Sequence, residues 1–466
     1  MLWYSQASVA MRQSASDLKD HTLRSATAND QNLGAIAETA AETGSGEPVI
    51  AAASAVLFVG VGYTNTHGVF QDHYHEVLFP LIAPEKLLVV GSVASSLYFI
   101  LGALTGRFAD LMGYRMSFLL GSALMIGAMF AASVSESYTQ IFLSQGLMFG
   151  IGLALVYMPA TSISRQYFGD QHGLANGIVV SGGALGGCIL PYSVQVMLGR
   201  YALAATFRIL AYLAAVILIP SILVLRPKAR LSRSRKVVDL SLLKDQRFVW
   251  MLVGCTIAMA GFLPRYFLVP SSARARSVSS MYASWLLGIM NGLSIFGRIG
   301  IGCFADRYGK LTALSLSFLL CGLGHFAFWL PGITSTQDNP RAAIALLAIF
   351  VVYVGFFGSG FISLFPVVVA DLFGSENLAS KTGMLNTFVG LSTLAGPSAV
   401  YAIAGSGASL GWAFGISTAG LLMIVGGLVL PITKALLSKR LDWGVPGHQA
   451  GRRARSNGRA DLIRTR

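Results

Sequence analysis

The chain has 466 residues, 54% of them hydrophobic and only 12% charged, at a mean hydropathy of +0.64. Soluble globular domains run about 25% charged, so a water-soluble enzyme or binding module is excluded and a membrane protein is indicated. The formal net charge of +14 would suit nucleic acid, but the cations sit in tails and short loops beside apolar segments, which argues against that class.

Residues 1–49 are rich in Ser, Ala, Thr, Asn and Glu, with no sustained apolar run. They are expected to form a disordered cytosolic tail. They also lack a signal-peptide core, which leaves the first membrane helix as the targeting signal. From there on, apolar segments recur at 50–71, 87–108, 113–132, 139–161, 173–198 and 203–225, then at 247–269, 281–305, 310–330, 342–368, 379–404 and 409–433. Each is long enough to cross about 30 Å of hydrocarbon. The reading is an all-α membrane protein of twelve transmembrane helices. It has a six-helix bundle over 50–225, a basic linker over 226–246, a second six-helix bundle over 247–433 and a basic tail over 434–466.

Orientation follows from the cations. With the N-terminus inside, the inner segments hold 26 Lys and Arg and the outer loops 5, an asymmetry that puts both termini and the linker in the cytosol. Three further arginines, Arg208, Arg265 and Arg298, fall inside apolar segments. Cys188, Cys255, Cys303 and Cys321 lie in or at the edge of such segments without metal-ligand spacing and read as small apolar residues. Neither a metal nor a cofactor is expected.

One decapeptide occurs twice. Gly106, Asp110, Gly113 and Arg115 stand at the break between the second and third segments. Gly302, Asp306 with Arg307, and Gly309 with Lys310 stand between the eighth and ninth, 196 residues later. The glycines permit a sharp turn, and the carboxylate can face a helix N-terminus or a cation. Two copies at matched places argue for an internal repeat of two halves.

This arrangement resembles the major facilitator superfamily, in which the loop carboxylate latches the two halves in one conformation. The resemblance implies a latch made of Gly106, Asp110, Gly113, Arg115, Gly302, Asp306, Arg307 and Gly309, although Leu111 stands where the second copy has Arg307.

A finer resemblance runs through Gly150-Ile-Gly152 to Tyr157-Met-Pro159, Tyr167-Phe168, Leu174-Ala175-Asn176-Gly177 and Ser181-Gly182-Gly183. It continues in Phe365-Pro366, Asp371, Gly374, Leu378-Ala379 and Gly396-Pro397. These are similar to the monocarboxylate-porter family. The basic pair expected before Leu174 is replaced by Gln171 and His172, and the acidic residue expected one turn before Arg298 is Ser294. The chain therefore looks like a divergent fungal-type branch, which includes riboflavin carriers and exporters of organic acids or secondary metabolites.

The function expected is secondary transport of a small organic anion or related metabolite by alternating access, not enzymatic catalysis. The proton is the candidate coupling ion and the plasma membrane the expected site. Uptake of a non-carboxylate nutrient such as a vitamin, or a transporter-like nutrient sensor, are the alternatives. Arg298 lies seven residues before Ala305 at the inner end of its segment, about 10 Å into the membrane at 1.5 Å per residue. An arginine at that depth is kept for a partner or a pathway, and the resemblance places it where the substrate carboxylate binds. Asn291, two turns away, and the polar patch of the first segment, Asn65 and His67, are expected to join it, with Tyr157 from the fourth. The glycine clusters at 181–187 and 355–360 predict close helix approach.

Overall fold

The computed structural model describes residues 46–168, 172–225, 240–274, 278–334, 339–373, 378–404 and 409–443. Every regular element among them is helical. Ile50–Arg466 form one unit, distinct from Met1–Val49. Of the smaller unit only a first helical turn is described; the larger unit carries all the other elements.

In chain order the helices are α1 (Gly46–Asn65), α2 (His67–His73, continued by a π turn to Leu78), α3 (Pro84–Ile100), α4 (Gly102–Met112) and α5 (Tyr114–Ser133). Next come α6 (Tyr138–Ile141) and its π continuation into α7 (Phe149–Phe168), then α8 (His172–Arg200) and α9 (Leu203–Val224). Beyond residue 240 lie α10 (Gln246–Phe262), α11 (Pro264–Arg274), α12 (Ser280–Tyr308), α13 (Lys310–Gly324) and α14 (Leu330–Thr334). The last four are α15 (Pro340–Phe357), α16 (Gly360–Phe373), α17 (Leu378–Ala404) and α18 (Ser409–Trp443).

Among the described residues eleven helices are long and apolar enough to cross a membrane, or twelve when α3 and α4 count as one span bent by 53° at Leu101. That bend is the main departure from the expected spans. The segment expected at 87–108 is two helices, and the glycine opening the second, Gly102, lies against the side chain of Met158, a small residue at a kink as is usual for sharp bends. The first span also runs on to Leu78 and the seventh to Arg274. Asp72, Glu76 and Arg274 therefore lie within helical spans and not in loops, which is tolerable because they pair with one another. The eighteenth helix extends to Trp443, past the expected end at 433.

The first and seventh spans break at corresponding places. Thr66 separates α1 from α2, with its hydroxyl donating to the Gly62 carbonyl at 2.8 Å. Leu263 separates α10 from α11, where Pro264 has no N–H to continue the ladder. The two offset pieces, α2 and α11, pack on each other. The glycine clusters do bring helices together: an added Cβ on Gly62 would stand 2.6 Å from Gly186 Cα on α8. Many large apolar side chains face outward, among them Val216, Ile219, Phe296, Ile299, Phe414 and Leu428, a surface suited to lipid.

Candidate functional site

The repeated turns take the conformation their glycines allow. Gly113 (φ +90°) joins α4 to α5 and Gly309 (φ +98°) joins α12 to α13, a region closed to most L side chains. An added Cβ at Gly106 or Gly302 would meet nothing within 4 Å. Asp306, Arg307 and Arg115 are exposed, and among the described residues none of them is in an ion pair. The Asp110 side chain lies outside the described residues, as do Gln171 and the side chain of His172. Beside the second turn, Lys310 reaches Asp371 of α16 at 3.4 Å, so that cation is engaged by a different carboxylate from the one the motif suggests.

Polar side chains from distant spans meet in the interior. Asn65, at the end of α1, donates from Nδ2 to Asn291 Oδ1 on α12 at 3.0 Å. Asn291 in turn donates to the Leu287 carbonyl at 3.0 Å, and the Ser294 hydroxyl donates to the Asn291 backbone carbonyl at 2.6 Å. Gly187 of α8 makes room for the amide pair, since a Cβ there would stand 2.7 Å from Asn291 and 2.8 Å from Asn65. The structure brings Asn65 and Asn291 together, while His67 goes elsewhere. His67 is buried, its ring edge-on to Phe267 at 6.3 Å and to Tyr74 at 6.5 Å, and its Nε2 has no hydrogen-bond partner.

Two turns along α12 from Asn291, the guanidinium of Arg298 leaves Nε and Nη1 buried without a partner. It makes no ion pair with Asp306, although that carboxylate lies two turns along α12. Its electrostatic neighbours are the phenols of Tyr157 on α7 and Tyr266 on α11. Tyr157 packs on Tyr98 at 4.7 Å and Phe99 at 6.3 Å. Around Arg298 the structure thus assembles bare N–H donors, phenols and aromatic rings from four spans, with no carboxylate among the described residues. Such a set recognises an anionic group attached to an apolar or aromatic body.

Two further features were given no role from the sequence. Arg265, on α11, is 2% exposed and has its carbon centre 3.7 Å above the Phe262 ring. Tyr266 accepts a long hydrogen bond from it at 3.5 Å. At the end of the molecule carrying the α2 and α11 termini, Arg274 holds Asp72 at 2.5 Å and also Glu76, and Ser271 donates to Asp72 at 3.2 Å. Arg265 could have been found as a cation alone in an apolar run. The ion triplet could not, because Asp72 and Arg274 are 202 residues apart and sat just past the expected span ends. No three His, Cys, Asp or Glu among the described residues converge on a metal site.

The sequence matches the description Major Facilitator Superfamily over residues 50–397 and again over 266–459. It is 28% identical to the agnestins efflux protein of Paecilomyces divaricatus, over 73% of this chain and 77% of that one. An MFS-type transporter of Aspergillus niger is 27% identical over 83% of this chain and 88% of its own. The aspyridones efflux protein of Emericella nidulans is 28% identical over 74% and 69%.

Proposed function

From the premise that this chain belongs to the Major Facilitator Superfamily, we propose that it exports a small organic acid or related metabolite, monocarboxylate-porter fashion, by alternating access. The observation that carries this reading is that Nε and Nη1 of Arg298, a half-buried residue, are buried without a partner. Burying a charged arginine costs about 2.5–3.5 kcal/mol on insertion scales and is retained for a partner or pathway. No protein carboxylate fills that role among the described residues, so the substrate does. Paired hydrogen bonds from a planar guanidinium suit a carboxylate or an enolate.

Two six-helix halves, 50–225 and 247–433, rock about this site, and both termini, the linker and the repeated turns face the cytosol. In that orientation the Arg274–Asp72–Glu76 triplet lies at the outer end and closes it. Export is supported by the names of the two efflux proteins that the chain resembles. The plasma membrane is the fitting location. Coupling to protons is part of the proposal, with Asp72 and Glu76 as the carboxylates that part from Arg274 when the outer end opens.

The test is counterflow of radiolabelled organic acids in proteoliposomes. Arg298→Lys keeps the charge but not the fork, and is expected to lose most transport; Arg298→Ala is expected to lose it all while still reaching the membrane. Wild-type affinity in the lysine variant would remove the guanidinium from substrate binding.

A further inference from the structure

The second intramembrane arginine is as bare of counter-charge as the first. Arg265 is 2% exposed, and no carboxylate among the described residues pairs with it. Its Nε has no partner, its Nη1 donates only to the thiol of Cys321 at 3.1 Å, and its Nη2 reaches the Tyr266 hydroxyl at 3.5 Å. A thiol sulfur is a weak acceptor, and 3.5 Å is at the limit of a hydrogen bond. Beside it, His325 is fully buried with Nδ1 against the Cys321 carbonyl at 2.9 Å and Nε2 without a partner. The face of Phe262 supplies cation–π attraction, which does not satisfy an N–H.

The backbone is also built around this side chain. The tenth span has a turn at Gly358–Ser359, between α15 and α16, and the turn falls on the guanidinium: a Cβ on Gly358 would stand 3.0 Å from Arg265 Nη2 and closer still to Nη1. Gly358 N–H still donates to the Val354 carbonyl at 2.8 Å, so the span runs on through this turn, and the missing Cβ is what admits the guanidinium. Tyr266 links the two cations, since its hydroxyl accepts from Arg265 while its phenol is an electrostatic neighbour of Arg298.

We propose that Arg265 is a second anion subsite, so that Arg298 and Arg265 together, with Tyr266 between them, take a substrate bearing two acidic groups, carboxylate or enolate. The inference rests on Arg298 holding the first acidic group. Two uncompensated guanidiniums in one low-dielectric interior leave a double positive charge, which a dianion neutralises and a monoanion does not. Each end of the substrate receives donors of its own, from Arg298 with Tyr157 at one end and from the unpartnered N–H of Arg265 at the other, and the phenol of Tyr266 is shared.

The test uses the full chain in nanodiscs and proteoliposomes. The probes are aliphatic dicarboxylates from succinate to suberate and the three benzenedicarboxylates, each beside its monomethyl ester. Binding is read from thermal stabilisation and from counterflow. At least one diacid is expected to bind about tenfold more tightly than its monoester. Arg265→Gln is expected to abolish that preference by weakening the diacid alone, and Arg265→Lys to keep part of it. Equal binding of every diacid and its ester, or an Arg265→Gln variant of unchanged unfolding temperature that weakens both alike, overturns the second subsite while leaving Arg298 as a monoanion site. Failure of all acids and esters to bind overturns the anion-carrier reading itself.

Discussion

At the scale of single residues, the amide pair and the histidine separate binding from packing. Asn65 and Asn291 satisfy each other across 226 residues of sequence. Interhelical hydrogen bonds of this kind contribute about 0.6 kcal/mol on average in membranes and up to about 1.7. A double-mutant cycle with Asn65→Ala and Asn291→Ala, read from thermal unfolding in detergent, is expected to give a coupling energy in that range. Additive effects would mean that the two amides do not meet. His67 lies against Phe267, Tyr74 and the Cα side of Gly91, in an apolar and aromatic setting. His67→Gln is therefore expected to leave the pH dependence of counterflow unchanged, whereas Asp72→Asn flattens it. A flattened profile in the histidine variant would move the proton path to His67.

At the scale of elements, the repeated turn and the ion triplet do different work. Gly309 adopts a φ of +98°, a sparsely populated conformation that costs an L residue of order 1–3 kcal/mol. Gly309→Ala is thus expected to lower the unfolding midpoint measurably and to slow transport through the α12–α13 corner. The triplet joins α2 to α11, and α2 packs on α11 through backbone as well as charge: Gly68 would carry its Cβ 2.6 Å from the Tyr266 carbonyl oxygen. Removing one partner leaves the others unpaired in a half-buried place, so Arg274→Asp should abolish transport. The swap Asp72→Arg with Arg274→Asp should restore a part of it. A second expectation is that cysteines at both positions cross-link and that the cross-link stops counterflow. Undiminished transport in the linked protein would show that α2 and α11 need not separate.

For the whole molecule the matter is topology. Span length and the cation asymmetry predict a linker on the inner side. A cysteine in place of Ser234, in a chain with its native cysteines removed, is expected to react with a membrane-impermeant maleimide only after permeabilisation. Labelling in intact cells would reverse the orientation, and with it the direction in which the closed triplet faces.

What the sequence determined by itself was everything that depends on local composition. The number of spans follows from runs of apolar residues, because a helix must satisfy its own backbone in hydrocarbon and needs only length and hydropathy to do so. The two turns follow from Gly113 and Gly309, since positive φ is a property of one residue. Arg298 was legible for the same reason, as a charge that an apolar segment does not otherwise carry. The tertiary structure alone decided which polar groups meet. Arg274 finds Asp72, Asn65 finds Asn291, and Arg265 finds Cys321 and Tyr266 instead of a carboxylate. It also decided that the second span bends by 53°. Hydrocarbon demands that a buried polar group have a partner, but it does not name one. The partner is set by how the spans pack, through glycines such as Gly187 and Gly358 that let one backbone come close to another's side chain, and that information is spread over residues hundreds of positions apart.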